Sequence, residues 1–133
     1  MTSPVMTNRE TLRSLADTVE GLRGRDSAIE QEIAIALGWT HRVDRHDDDL
    51  TEDVWIDPKG KDHPWWPFVT ASIDSAMSLV PAYCDWLRKD FDTMTVAIPA
   101  ADEKQWARHI DGRGATPALA LTAASLRAIG EGL

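Results

Sequence analysis

Apolar and polar positions follow two rhythms along this chain, and the change of rhythm divides it into elements. Leu12, Leu15, Ala16, Val19 and Leu22 recur at intervals of three and four, the spacing that lines one face of an α-helix. That stripe predicts a first amphipathic helix over residues 8–22. Thr7 and Glu10 stand as a capping box, in which hydroxyl and carboxylate reach each other's amides. Ile29, Ile33, Ala36 and Leu37 form a second stripe. Ser27 and Glu30 open it with the same box, and Gly38 closes it at the left-handed position past a helix end. A helical hairpin is expected.

From Trp39 the period falls to two. Residues 39–43 read as a short strand with Trp39, His41 and Val43 on one face. The acid-rich stretch 44–53 is expected to be a mobile surface loop, since so many carboxylates resist burial. Residues 54–56 read as a strand entering an Asp57-Pro58-Lys59-Gly60 turn, and His63-Pro64-Trp65-Trp66-Pro67 is too proline-broken for regular structure. A cap at Thr70 or Ser72 predicts a helix to about Leu79, because Pro81 disfavours helical geometry at Val80. Three strands are expected next, over 83–88, 93–98 and 105–110. The middle one is clearest, with Met94, Val96 and Ile98 alternating against Thr93, Thr95 and Ala97. Asp111-Gly112-Arg113-Gly114 reads as a turn. Thr116 then caps a last helix with Pro117 at its first position, reaching about Ile129. Its apolar face, Leu119, Ala120, Ala123 and Leu126, includes small residues that let a sheet approach closely, and Trp106 is expected beneath it. This order fits an α+β domain whose helices, about four, cover a mostly antiparallel sheet.

Composition narrows the function. The 133 residues suit a single domain over 1–133, and no apolar run reaches the ~18 residues a membrane helix needs. The first residues lack the basic and apolar segments of a secretory signal, so a cytoplasmic location is expected. A formal net charge of −8 argues against long nucleic acid and anionic membranes as partners. A small anionic ligand needs only a few local donors and stays open. Cys84 is the one cysteine, which excludes an intrachain disulfide and predicts a buried, inert thiol.

Two segments carry a family resemblance. Thr-Ala-Ser-Ile-Asp-Ser-Ala-Met-Ser-Leu-Val-Pro at 70–81 and Gly-Ala-Thr-Pro-Ala-Leu-Ala-Leu-Thr-Ala-Ala at 114–124 resemble signatures of the phage ABA-sandwich domain family, small phage and prophage proteins. Residues 26–39 are similar to that family's acidic start, helix and Gly-Trp ending. The resemblance implies an α-β-α sandwich and a phage setting, in the host cytoplasm during infection. It implies no catalytic residue, and the shared positions look like helix caps and packing sites.

The chemistry-bearing residues crowd the centre of the chain. Of six tryptophans, Trp39, Trp55, Trp65 and Trp66 fall in one stretch. An exposed indole can stack on a nucleobase for roughly 1–3 kcal/mol. Arg42, Arg45, Lys59 and Lys61 stand near enough in sequence to pair with phosphates. Trp39, His41, Arg42, Trp55, Lys61, Trp65 and Trp66 are therefore the candidate ligand-binding residues, against the alternative that the aromatics cover a sheet edge or an oligomer interface. His41, His46 and His63 with Asp47, Asp48 and Asp49 are the residue types that hold zinc or manganese, although no helical His pair is spaced for it. Asp85 and Asp92 beside Arg88 and Lys89 read as surface charge pairs. No serine elbow, phosphate loop or dinucleotide glycine pattern occurs. The expectation is a non-enzymatic phage accessory protein that sequesters a small nucleotide-derived signal of bacterial anti-phage defence, needs no cofactor and forms a homo-oligomer. A metal-assisted hydrolase of such a nucleotide and a virion or protein-interaction module are the alternatives.

Overall fold

The structure is a computed structural model that describes residues 8–47, 50–98 and 108–131. Helix α1, Asn8–Glu20, and helix α2, Ser27–Ala36, form the expected hairpin. Thr7 lies outside the described residues. Helix α2 is capped one residue earlier than its sequence implies: Asp26, not Ser27, accepts the Ile29 N–H at 3.1 Å. A carboxylate makes a charge-assisted bond at the positive end of the helix, which a hydroxyl cannot match. Glu30 does not return to the cap. Its carboxylate is wholly buried and turns across the molecule to Thr70. Gly38 takes the predicted left-handed conformation, φ 101°.

Strands β1, Thr40–Arg45, β2, Thr51–Ile56, and β3, Asp62–His63, make one antiparallel sheet in that order. Thr40 pairs with Ile56 and Arg45 with Thr51, so half of the acid-rich stretch expected as a loop lies in the two arms of a hairpin. The reason lies in the bases set among the acids. His41 meets Asp53 at 3.0 Å, Arg42 meets Asp44 at 2.7 Å and His46 meets Glu52 at 2.8 Å. Asp48 and Asp49 lie outside the described residues. His63, expected in irregular chain, joins β3, which Pro64 stops by lacking a ladder N–H.

Helix α3, Ile73–Met77, starts where Ser72 accepts the Ser75 N–H at 3.2 Å, and ends well before Pro81. Strands β4, Asp85–Arg88, β5, Thr93–Ile98, and β6, Arg108–Arg113, form a second antiparallel sheet, again in chain order. The expected strand over 105–110 falls partly outside the described residues, as does Trp106. Its described part runs on through Gly112, which reads from sequence as a turn. Both Gly112 and Gly114 are there for close approach. A Cβ on Gly112 would overlap the Ala120 carbonyl oxygen and the Ala124 amide, and one on Gly114 would stand 2.7 Å from the Ala120 nitrogen.

Helix α4, Pro117–Glu131, is the axis of the molecule. Thr116 caps it by accepting the Leu119 N–H at 3.2 Å, as predicted. Leu119, Ala123 and Leu126 meet Leu12, Leu15 and Val19 of α1 and Ile33 of α2. Ala120, Leu121, Ala124 and Ala128 meet Met94 and Val96 of β5 and Ala76 of α3. Four helices and antiparallel strands define an α+β fold, with the strands divided between two small sheets. No helix among the described residues is long and apolar enough to cross a membrane.

The two open edges of the second sheet differ. On β6, Glu20 of α1 accepts the Arg113 N–H at 2.8 Å, and Arg127 of α4 donates to the Asp111 carbonyl at 3.2 Å. On β4 no described side chain caps the main chain.

Candidate functional site

The predicted residues of the central stretch meet in part. Alternation along β1 and β2 sends His41 and Trp55 to one face of the first sheet, and they stack with centroids 4.6 Å apart. Trp55, almost fully buried, meets Trp66 edge-on at 5.5 Å, and Trp66 meets Phe68 at 5.7 Å. Trp39 lies 5.1 Å from His63, and Trp65 lies 6.1 Å from Phe68. Trp66 also donates its indole N–H to the buried Glu30 at 3.0 Å, so its polar end is occupied as well as its ring. Of the tryptophans in this chain of rings Trp65 is the exposed one, and His41 is exposed at its end.

Arg42 and Lys61 are not brought to it. Arg42 pairs across the sheet with Val54 and so projects from the face opposite His41 and Trp55. There its guanidinium is held by Asp44 and, at 3.3 Å, by Asp62. The bond to Asp44 raises the Arg42 pKa and lowers that of Asp44. Lys61 closes the turn after β2, its N–H donated to Asp57 at 2.9 Å. The histidines are also kept apart, each against its own carboxylate: Asp53 for His41, Glu52 for His46 and Asp57 for His63. The His63 bond is the main reason the Asp57 carboxyl lies below its usual range. Among the described residues no three His, Cys, Asp or Glu side chains are grouped to hold a metal.

A different place has the shape of a binding site. A cavity of about 590 Å³ opens where the starts of α3 and α4 meet strand β4. That volume lies within the roughly 300–1,000 Å³ typical of small-molecule sites. Buried Thr70, Met94 and Ala118 form its floor, Ser72 and Pro117 stand at the helix starts, and Trp86 forms an aromatic wall. Arg25 and Arg88 stand at the rim, and among the described residues no carboxylate lines the cavity. Trp86 and Arg88 are two apart on β4, so alternation turns both to the face that α4 covers, where Met94 also lies.

The two arginines are held differently. Arg25 spans 4.4 Å over the Phe68 ring and donates to Glu30 at 3.4 Å, which ties the rim to the aromatic chain. Arg88 donates its Nε to the Asp90 carbonyl at 3.2 Å and lies over Phe91 at 5.1 Å. Among the described residues no carboxylate lies within salt-bridge distance of it, contrary to the charge pairing expected with Asp85 or Asp92. Lys89 pairs with Asp111 at 3.5 Å instead. Cys84 is half-buried, and burial raises its thiol pKa.

Sequence reading missed this cavity although its parts were in view. Thr70, Ser72, Thr116, Pro117 and Ala118 belong to the two family-like segments, read there as caps. The usable signal was the Trp-x-Arg spacing at 86 and 88, which sets ring and guanidinium side by side on one face of a strand. No family model, curated protein or solved structure matches the chain.

Proposed function

We propose that the protein binds a small ligand with a planar ring and an anionic group in the cavity beside α4, and holds it without turning it over. The observation that supports this most is local charge. In a chain of net charge −8, the cavity carries Arg25, Arg88 and the positive end of the α4 dipole, with Trp86 beside them and no acid among the described residues of its lining. A nucleobase stacks on Trp86 while a phosphate meets Arg88, the arginine without a carboxylate partner among the described residues. A nucleotide-derived signal fits both demands. The resemblance to phage ABA-sandwich proteins supports the setting: a phage protein in the host cytoplasm that removes a defence signal from circulation. This reading moves the binding role from the central tryptophans, whose rings lie against other rings and of which Trp66 gives its indole N–H to Glu30, to the cavity.

Calorimetry against a panel of mononucleotides, linear oligonucleotides and cyclic dinucleotides tests it. Trp86→Ala is expected to weaken binding by about 1–3 kcal/mol with little change in melting temperature. Heat denaturation of the complex should return the nucleotide intact. A metal-dependent product in that supernatant would favour the hydrolase instead, and no binding across the panel would favour a protein-interaction module.

A further inference from the structure

The uncapped edge of the second sheet has the side chains of a self-complementary interface, and we infer that two copies of the protein pair antiparallel along β4 with Leu87 on the two-fold axis. An exposed strand edge invites pairing with another chain, and proteins usually block it. The β6 edge is blocked by Glu20 and Arg127. The β4 edge instead bears exposed Leu87, with exposed Tyr83 before the strand and exposed Phe91 after it.

The hydrogen-bonding direction fits. Lys89 donates its N–H to Thr93 of β5 at 3.0 Å. In an antiparallel ladder such groups alternate, so Leu87 and Asp85 also face β5, while the main-chain groups of Trp86 and Arg88 face outward. A two-fold axis through Leu87 sets Trp86 of each copy opposite Arg88 of the other, and these are the residues with N–H and C=O groups to exchange.

The side chains fit the same register. A two-fold perpendicular to the sheet keeps each face on its own side and pairs positions whose numbers sum to that of Leu87 doubled. Leu87 then meets Leu87 once, on the axis, while Trp86 meets Arg88 as a cation–π pair and Asp85 meets Lys89, which holds Asp111 at 3.5 Å in its own copy, each of these two pairs occurring twice by symmetry. Centring on Trp86 instead would set Asp85 against Leu87, losing the charge match. Because Trp86 and Arg88 also line the cavity, the partner copy's Arg88 and Trp86 would border it. The pairing forms whatever that cavity holds.

Light scattering on the full chain at about 50 µM is expected to give the dimer mass. Asp85→Lys, which opposes like charges, should raise the dimer dissociation constant about tenfold or more, and adding Lys89→Asp should restore it. In a Cys84→Ser background, Leu87→Cys should form an intersubunit disulfide under mild oxidation. Facing residues at that kind of site have Cα atoms roughly 4.5 Å apart, within disulfide reach. A monomer at that concentration would overturn the inference. So would a dimer indifferent to Asp85→Lys, or one that cross-links through Trp86→Cys and not through Leu87→Cys.

Discussion

Glu30 is the residue on which distant parts of the chain converge. Its buried carboxylate accepts the Thr70 N–H at 3.1 Å, the Thr70 hydroxyl at 2.7 Å and the Trp66 indole N–H at 3.0 Å. The Thr70 hydroxyl oxygen in turn accepts the Asp26 N–H at 2.9 Å, so one threonine serves the cap and the carboxylate of the same helix. Thr70→Val removes both contacts while keeping the shape, and should cost about 2–3 kcal/mol, the penalty of leaving a part-buried amide and a buried charge short of partners. Urea unfolding measures it. Thr70→Ser, which keeps the hydroxyl, should lose far less, and equal losses would show that the methyl matters as much as the bond. Nothing near Glu30 in sequence points to a partner 40 residues away, so its spacing from Ser27 reads as a capping box. Arg42 and Trp66 were read as parts of one site for the converse reason. They are close in sequence, but strand alternation turns Arg42 away from the rings.

Among the elements, α4 and β6 are fitted to each other at backbone distance. Gly112→Ala would drive a methyl into main-chain atoms of α4, which cannot swing aside as a side chain would. The expected loss is about 3 kcal/mol, the upper range for overpacking. Gly60→Ala is the contrast: its φ is 88° but nothing lies within 4 Å of the added carbon, so only the left-handed conformation is penalised, about 1–2 kcal/mol. Thermal melts of the two variants should rank in that order. The helices were legible because caps and apolar spacing are local: Pro117 and Thr116 mark the start of α4, and Gly38 the end of α2. The β1–β2 hairpin was hidden because its stability comes from cross-strand pairs such as His46 with Glu52, invisible until the register is known. Gly112 hid β6 in a similar way, since a glycine that admits a helix and one that makes a turn look alike. The cavity was legible only in its pieces, because three separate elements compose it.

At the scale of the whole molecule, a charge cluster fastens the first helix to the last. Arg127 donates to Glu20 at 2.7 Å and 2.8 Å and to Asp17 at 2.7 Å. The Arg127 bond is the largest cause holding the Glu20 carboxyl below its ordinary 4.5, and the Arg127 pKa is raised in turn. A lowered carboxyl pKa stabilises the fold above the ordinary value and loses that contribution as pH falls through the folded one. Glu20→Gln should therefore cost about 1–2 kcal/mol at neutral pH, with the gap from the parent narrowing as the pH drops below 4.5, readable from urea midpoints across pH. A gap constant with pH would assign the loss to packing. The central place of α4 has a last consequence, for the order of events at the ribosome. Synthesis runs from the amino end, and α1, α3 and β5 all pack against a helix that begins only at Pro117. Until that helix has left the exit tunnel, the nascent chain holds Leu12, Val19, Met94 and Val96 ready with nothing to close on, and it depends on chaperones or speed to keep them from other chains.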